Sequence, residues 1–278
     1  MRKIFLILSV LAASALLPLR AQELPFAGGE NLTYTIHYKY GVNADLASLS
    51  IKGVQEGANY HVTAHINTFR FWDSFYKMRD RYESVFAMDR GLKPRSALRD
   101  VNEGKYWAKC NFTWGDDPGR VRAVIDKSSR PHRDTVLQEK GTIRDIFNMI
   151  YFCRTADYDK LAKGEKIRGT VAMDRTLYHV TLRMVGREKK KVNGQYWNTV
   201  KLGISLSVSG ADQGDSSTAV SLGDTPEDFK GGDKLVFWVS DDENRLPVFF
   251  SANLKVGAVQ GRLTEVSGNK YPFTAKID

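Results

Sequence analysis

The residue types that perform most protein chemistry are present in this chain, but their spacing does not suit it. The five histidines are His37, His61, His65, His132 and His179. His61 and His65 share one face of an alternating segment, where four residues of strand rise put them ~13 Å apart. Two ligands of one zinc ion sit far closer than that, and no other His or Cys spacing suggests a metal site. Neither a metal nor a cofactor is therefore expected. Ser205 lies in Gly203-Ile204-Ser205-Leu206-Ser207, which lacks the closing glycine of a nucleophile elbow and runs through a strand pattern with no following helix. Asp241 and Asp242 are adjacent, so on a strand they point to opposite faces and serve one substrate atom poorly. No catalytic residue is named on these grounds. A Ser-His-Asp set assembled from distant positions is the enzymatic alternative that spacing does not address.

The densest group of large side chains is Phe69, Phe71, Trp72, Phe75 and Tyr76. Such a group forms either core beneath a short helix or the lip of an apolar cavity, where aromatics commonly line ligand sites. On the second reading Phe71, Trp72, Phe75 and Tyr76 are the candidate ligand-binding residues. Asp80 follows within a strand pattern; facing inward it needs a partner, and Arg154 is a candidate. Arg187, Lys189, Lys190 and Lys191 flank an Asn193-Gly194 turn, either as an anion-contacting loop or as edge charges that discourage sheet pairing. Cys110 and Cys153, the two cysteines, form one bridge or remain two separate buried thiols.

The first residues set the expected compartment. Arg2 and Lys3 precede an apolar run from Ile4 to Leu19, followed by Arg20-Ala21-Gln22. That layout predicts a signal peptide over residues 1–21, cleaved after about Ala21, and a periplasmic or secreted protein. The run is shorter than the ~20 apolar residues of a spanning helix, and no later run approaches that length. The net charge of +9 is scattered along the chain, which argues against nucleic acid as partner. It favours acidic surfaces such as anionic lipid headgroups or polyanionic glycans.

Period-two alternation dominates the rest. Tyr34, Ile36 and Tyr38 alternate with Thr35, His37 and Lys39; Tyr60, Val62 and Ala64 with His61, Thr63 and His65. Tyr178 to Met184 and Val200 to Val208 repeat the pattern. Further strands are expected at Leu46–Gly53, Lys77–Met88, Lys105–Trp114, Arg120–Asp126, Ile167–Met173, Lys234–Ser240, Leu246–Lys255 and Val256–Val266. Asn193-Gly194 suits a type I′ hairpin, and Gly115 to Gly119 and Asp241 to Arg245 read as further tips. One segment breaks the pattern. From about Thr142, with Asp145 three residues on as in a capping box, to Thr155, apolar residues recur at helical spacing nearly all round, which predicts a buried helix. Ser209 to Gly232 is rich in Gly, Ser and Asp and reads as a flexible acidic insertion. The expected fold is mostly β, a large antiparallel curved sheet (half-barrel or barrel) wrapped around one buried apolar helix, in a single domain over 22–278.

Several short signatures stand in a telling order: Phe26-Ala27-Gly28-Gly29-Glu30, Phe75 to Ser84, Arg144-Asp145-Ile146-Phe147, Phe237 to Asp242 with Arg245-Leu246-Pro247-Val248, and Lys255-Val256-Gly257-Ala258-Val259. Together they resemble the bacterial envelope family catalogued as domain of unknown function 3108, over nearly the whole mature chain. The Arg20-Ala21-Gln22 junction is similar to export signals of the Bacteroidetes type. The resemblance implies an exported, mostly antiparallel β protein and supplies no catalytic residues; the long insertion departs from the family pattern. A strand-rich half-barrel with an embedded helix is also similar in fold to the periplasmic lipoprotein carriers LolA and LolB. The expectation that follows is a non-enzymatic binding or carrier protein for a lipid or other amphiphile. The alternatives are a protein interaction module in envelope or glycan assembly and, third, a hydrolase.

Overall fold

The computed structural model describes residues 23–40, 42–209, 235–254 and 257–277. The expected signal peptide lies outside them, as does the insertion beyond Ser209. The first half of the chain is a meander of eight strands: β1 (Asn31–Tyr40), β2 (Val42–Glu56), β3 (Asn59–Thr68), β4 (Arg79–Ala87), β5 (Pro94–Glu103), β6 (Tyr106–Trp114), β7 (Arg120–Lys127) and β8 (Arg130–Gln138). A two-residue strand, β9 (Ile143–Arg144), leads into helices α1 (Ile146–Arg154) and α2 (Tyr158–Ala162). A second meander follows: β10 (Lys166–Met173), β11 (Thr176–Val192), β12 (Gln195–Ser209), β13 (Leu235–Ser240), β14 (Pro247–Asn253) and β15 (Ala258–Ser267), with β16 (Lys276–Ile277) beside β12.

The strands form one barrel-shaped, nearly closed sheet in the order β8-β7-β6-β5-β4-β3-β2-β1-β15-β14-β13-β12-β11-β10-β9. Neighbours are antiparallel except β9 and β10, which run parallel. The two meanders join where β1 pairs with β15, and β8 and β9 are the ends of the order. No helix among the described residues is long and apolar enough to cross a membrane, which leaves membrane-spanning strands unaddressed.

Alternation places the core. On β6, Ala108, Cys110, Phe112 and Trp114 are buried while Trp107, Lys109, Asn111 and Thr113 face solvent. On β3 the buried set is Tyr60, Val62 and Ala64, with Thr68 at the strand's end. Hairpin chemistry sets the register: Asn193 and Gly194 take φ of 48° and 87°, the positive values that a type I′ turn requires. At Gly261 a side chain would collide with the Phe250 ring, which lies across the glycine from the neighbouring strand.

Helix α1 runs within the curve of the sheet and has no exposed residue. Its N-cap is Asp145, not Thr142: the Asp145 carboxylate accepts from the backbone N–H of Phe147 at 2.9 Å and of Asn148 at 3.0 Å. The helix starts later than expected because Ile143 and Arg144 pair with β10. Ser84 Oγ donates to Asp145 Oδ2 at 2.7 Å, tying the cap to β4. Burial pushes the Asp145 carboxyl up to about 6.

The sequence pattern missed the two-residue strands β9 and β16 and two longer ones, β5 and β8. β8 is exposed along nearly its whole length, so no apolar face marks it. On β5, Pro94 stands at the first position, where a strand tolerates proline, and Arg95, Arg99 and Asp100 interrupt the apolar alternation.

Candidate functional site

Trp72–Ser74 forms a single turn of 3-10 helix between β3 and β4, at the end of the sheet. The aromatic group around it is not core. Phe71 is 68% exposed, Phe75 75% and Tyr76 50%. The rings cover one another instead: Phe71 lies 5.0 Å from Trp72 and 5.8 Å from Phe75, centroid to centroid, and Trp72 lies 6.1 Å from Phe75.

The backbone beneath them is held firmly. Asp73 accepts from Thr68 Oγ1 and, at 3.0 Å, from Arg79 Nη1, and Thr68 Oγ1 also takes the Met78 N–H at 3.0 Å. Trp72 Nε1 donates to the Asp45 carbonyl at 2.8 Å. Tyr76 Oη donates to Glu103 Oε2 at 3.3 Å; burial and that carboxylate push the Tyr76 hydroxyl up to about 12. The structure thus brings Phe71, Trp72, Phe75 and Tyr76 together on a fixed turn, and none of them lines either apolar pocket of the interior.

The larger of those pockets lies between the helices and the second meander. Met149, Ile150 and Cys153 of α1 form one wall; Val180, Leu182, Leu202, Ile204, Phe237 and Val239 of β11 to β13 form the other. It encloses about 60 Å³, well below the ~300–1,000 Å³ of a typical small-molecule site. Tyr158 of α2 and Arg154 of α1 also line it, and the Tyr158 hydroxyl is buried with no hydrogen-bond partner among the described residues. A buried polar group in that condition asks for a reason. Arg245 lies over the Tyr158 ring, 4.8 Å from its centroid, and donates from Nη1 to the carbonyls of Arg154 and Ala156 just past α1. Those bonds at a helix C-terminus help hold Arg245 at φ 50°, a left-handed value that side chains disfavour.

Buried charges hold the barrel together at two places. Arg154 Nη1 and Nη2 reach Glu30 Oε2 and Oε1 at 2.7 and 2.8 Å, and Tyr151 Oη donates to the same carboxylate at 2.8 Å. Arg154 also donates to the Asn244 carbonyl at 2.9 Å. This is the partner of Arg154; Asp80, expected to take it, instead accepts the Asn102 N–H at 2.9 Å. Burial pushes the Asp80 carboxyl up to about 7, with Glu103 adding to the rise. Asp174, at the β10–β11 turn, accepts from Arg99 Nη1, Lys127 Nζ and Cys110 Sγ, each at 2.9 Å. Burial works to raise the Asp174 carboxyl, but the two cations outweigh it and hold it below its ordinary value.

Cys110 and Cys153 are separate free thiols, both pushed up to about 12 by burial. Among the described residues no group of His, Cys, Asp and Glu is arranged to hold a metal. Ser205 is exposed on β12. Asp241 takes Arg187 Nε at 2.9 Å, and Asp242 accepts from Ser240 Oγ at 2.8 Å and the Asn244 N–H at 3.1 Å, so both carboxylates stabilise the β13–β14 turn. Lys190 Nζ sits 4.0 Å from the Trp238 ring centroid and 4.1 Å from that of Phe249.

Sequence reasoning missed Glu30, although it stands in the Gly28-Gly29-Glu30 signature, and Tyr158. Each owes its role to residues distant in the chain.

The fold has known counterparts. A β-barrel-like protein of Brucella abortus, from domain of unknown function DUF1849, is similar over 87% of this chain and 98% of its own, with a TM-score of 0.51 at 8% identity. A Bacteroides fragilis protein named as exported, with a YmcC-like fold, aligns over 88% and 98% at 9% identity. Its TM-score of 0.35 is too low to be evidence of a common fold. No curated protein matches the sequence. The model of the DUF3108 family, proteins of unknown function, matches residues 33–264, which run from β1 into β15. The chain therefore belongs to the DUF3108 family.

Proposed function

We propose that the protein is a non-enzymatic binding protein of the cell envelope, which takes a short acyl group of a lipid or other amphiphile, carbonyl oxygen included, into the pocket beside α1. The observation that carries this reading is the pairing of an almost wholly apolar pocket with one unpartnered hydroxyl, that of Tyr158. A largely apolar pocket with a few placed polar groups, here Tyr158 and Arg154, is how proteins commonly select a ligand with an apolar body and an acceptor oxygen. Bound ligand would take the hydroxyl's hydrogen bond, and apolar burial would contribute about 0.8 kcal/mol per methylene. The volume suits a short acyl group, whose carbonyl oxygen would reach Tyr158, and not a whole amphiphile, so any larger head would stay at the surface among the scattered Lys and Arg. The basic, signal-like start of the sequence supports a place in the envelope.

Titration with fatty acids of increasing length tests the proposal. Affinity should rise with length and level off once the pocket is filled. Tyr158→Phe should weaken binding by about fivefold to tenfold, the worth of one hydrogen bond, while leaving the stability of the free protein unchanged or slightly higher, because its hydroxyl has no partner to lose. If affinity is independent of chain length, or if Tyr158→Phe binds as well as the parent, the pocket is not the seat and the interaction-module reading takes its place.

A further inference from the structure

We propose that the turn spanning residues 69–77 docks the protein on an anionic lipid surface. The turn exposes Phe69, Phe71, Phe75 and Tyr76 within eight residues of chain. Single exposed apolar residues need no explanation, but a contiguous group of rings marks a contact surface. Its rigidity points the same way. The hydrogen bonds of Asp73 to Thr68 and Arg79, and of Trp72 to the Asp45 carbonyl, fix the rings outward, so little ordering is left to be done on contact.

Charge selects the partner. Arg70 and Lys77 flank the rings and are exposed, with no ion pair to either among the described residues. The acids nearby are already engaged: Asp73 by Arg79, Asp45 by His37 and Arg262, Glu103 by Tyr76. The turn therefore presents aromatic rings between two available cations, on a protein whose net charge is +9. Tryptophan, tyrosine and phenylalanine with flanking Arg or Lys suit the boundary between headgroups and acyl chains, where rings bury their apolar body and the cations meet phosphate. A protein partner with an acidic, apolar groove would satisfy the same charges, but one short turn of four rings offers it little area, whereas a bilayer takes up such a turn without a matching shape.

The purified protein should partition onto vesicles of phosphatidylcholine mixed with phosphatidylglycerol, and less onto phosphatidylcholine alone. Trp72 emission should shift to shorter wavelength, judged against Trp72→Phe. The double variant Phe71→Ser, Phe75→Ser should lower the partition by about tenfold or more, as expected for losing two partly buried rings, with an unchanged melting temperature. Arg70→Gln with Lys77→Gln should remove most of the preference for phosphatidylglycerol. The proposal is overturned if neither vesicle binds the protein, or if the serine variant partitions as the parent does. In the latter case charge alone accounts for binding, and the turn is left as a protein-contact surface. This outcome is independent of the pocket reading, whose test uses dispersed fatty acid and Tyr158.

Discussion

The molecule holds two clusters of aromatic side chains, alike in ring spacing and opposite in surroundings. In the inner one, Phe26, Tyr60, Phe86 and Tyr151 meet at centroid distances of 4.7 to 6.4 Å. In the outer one, Phe71, Trp72 and Phe75 meet at 5.0 to 6.1 Å. Ring contact itself therefore does not distinguish them. The inner rings come from the N-terminal segment, two strands and α1, and close over the Glu30–Arg154 pair. The outer rings come from one turn, and Phe71 and Phe75 stay exposed among the described residues. Convergence of distant segments makes a core; a local cluster on one loop makes a surface.

The comparison can be broken most severely at the ion pair beneath the inner rings. Glu30→Gln leaves Arg154 charged, buried and without its counter-ion, which should cost about 3–5 kcal/mol in urea unfolding. A loss under about 1 kcal/mol would show that water reaches Arg154. Next, truncating equivalent rings should separate the two clusters cleanly. Phe86→Ala should lose about 3–5 kcal/mol, and Phe75→Ala should stay within about 0.5 kcal/mol. Equal losses would mean that the outer turn is docked against something in the folded protein.

A smaller effect than at Glu30 or Phe86 is expected at Asp80, which borders the outer turn: it lies beside Glu103, the acceptor of the Tyr76 hydroxyl. Its carboxyl titrates at about 7 in the folded protein, above its ordinary 3.8. The folded state therefore binds this proton more tightly than the unfolded state, and stability falls as pH rises from about 4 to about 7. Asp145, pushed up to about 6 by burial, adds a slope of the same sign. Asp80→Asn keeps an acceptor for the Asn102 N–H and removes the charge. It should stabilise the protein by about 1–2 kcal/mol at pH 8, change little at pH 4, and flatten the profile between. A variant whose pH profile parallels that of the parent would refute this assignment.

Much of this architecture was legible in the residues. Alternation exposed most strands, because one face of each is buried and the other wet. The all-round apolar character of residues 146–153 gave a helix inside the sheet, which is where α1 lies. β8 escaped because an exposed strand has no two faces to contrast, and β5 because its inward Arg99 is neutralised by Asp174, a residue 75 positions later. The outer aromatic turn shows the limit most plainly. Five large rings within eight residues look the same to composition whether the chain folds over them or leaves them in water. The Glu30–Arg154 pair, 124 residues apart, and the buried hydroxyl of Tyr158 are products of the nearly closed barrel, so no local window contains them.

The pairing of β1 with β15 has a consequence for the order in which the molecule is made. A chain delivered from its N-terminus can complete the β1-to-β8 meander early, since each of those strands meets its neighbour across a short turn. The outer edge of β1 must wait until Ala258–Ser267 arrives, after nearly everything else. Until then the outward backbone donors and acceptors of this ten-residue strand stand open, the kind of edge that recruits strands from other chains. Closing it is a contact of very high sequence separation, which slows folding. A chain cut short before β15 would keep that edge permanently, and its fate would be association with copies of itself.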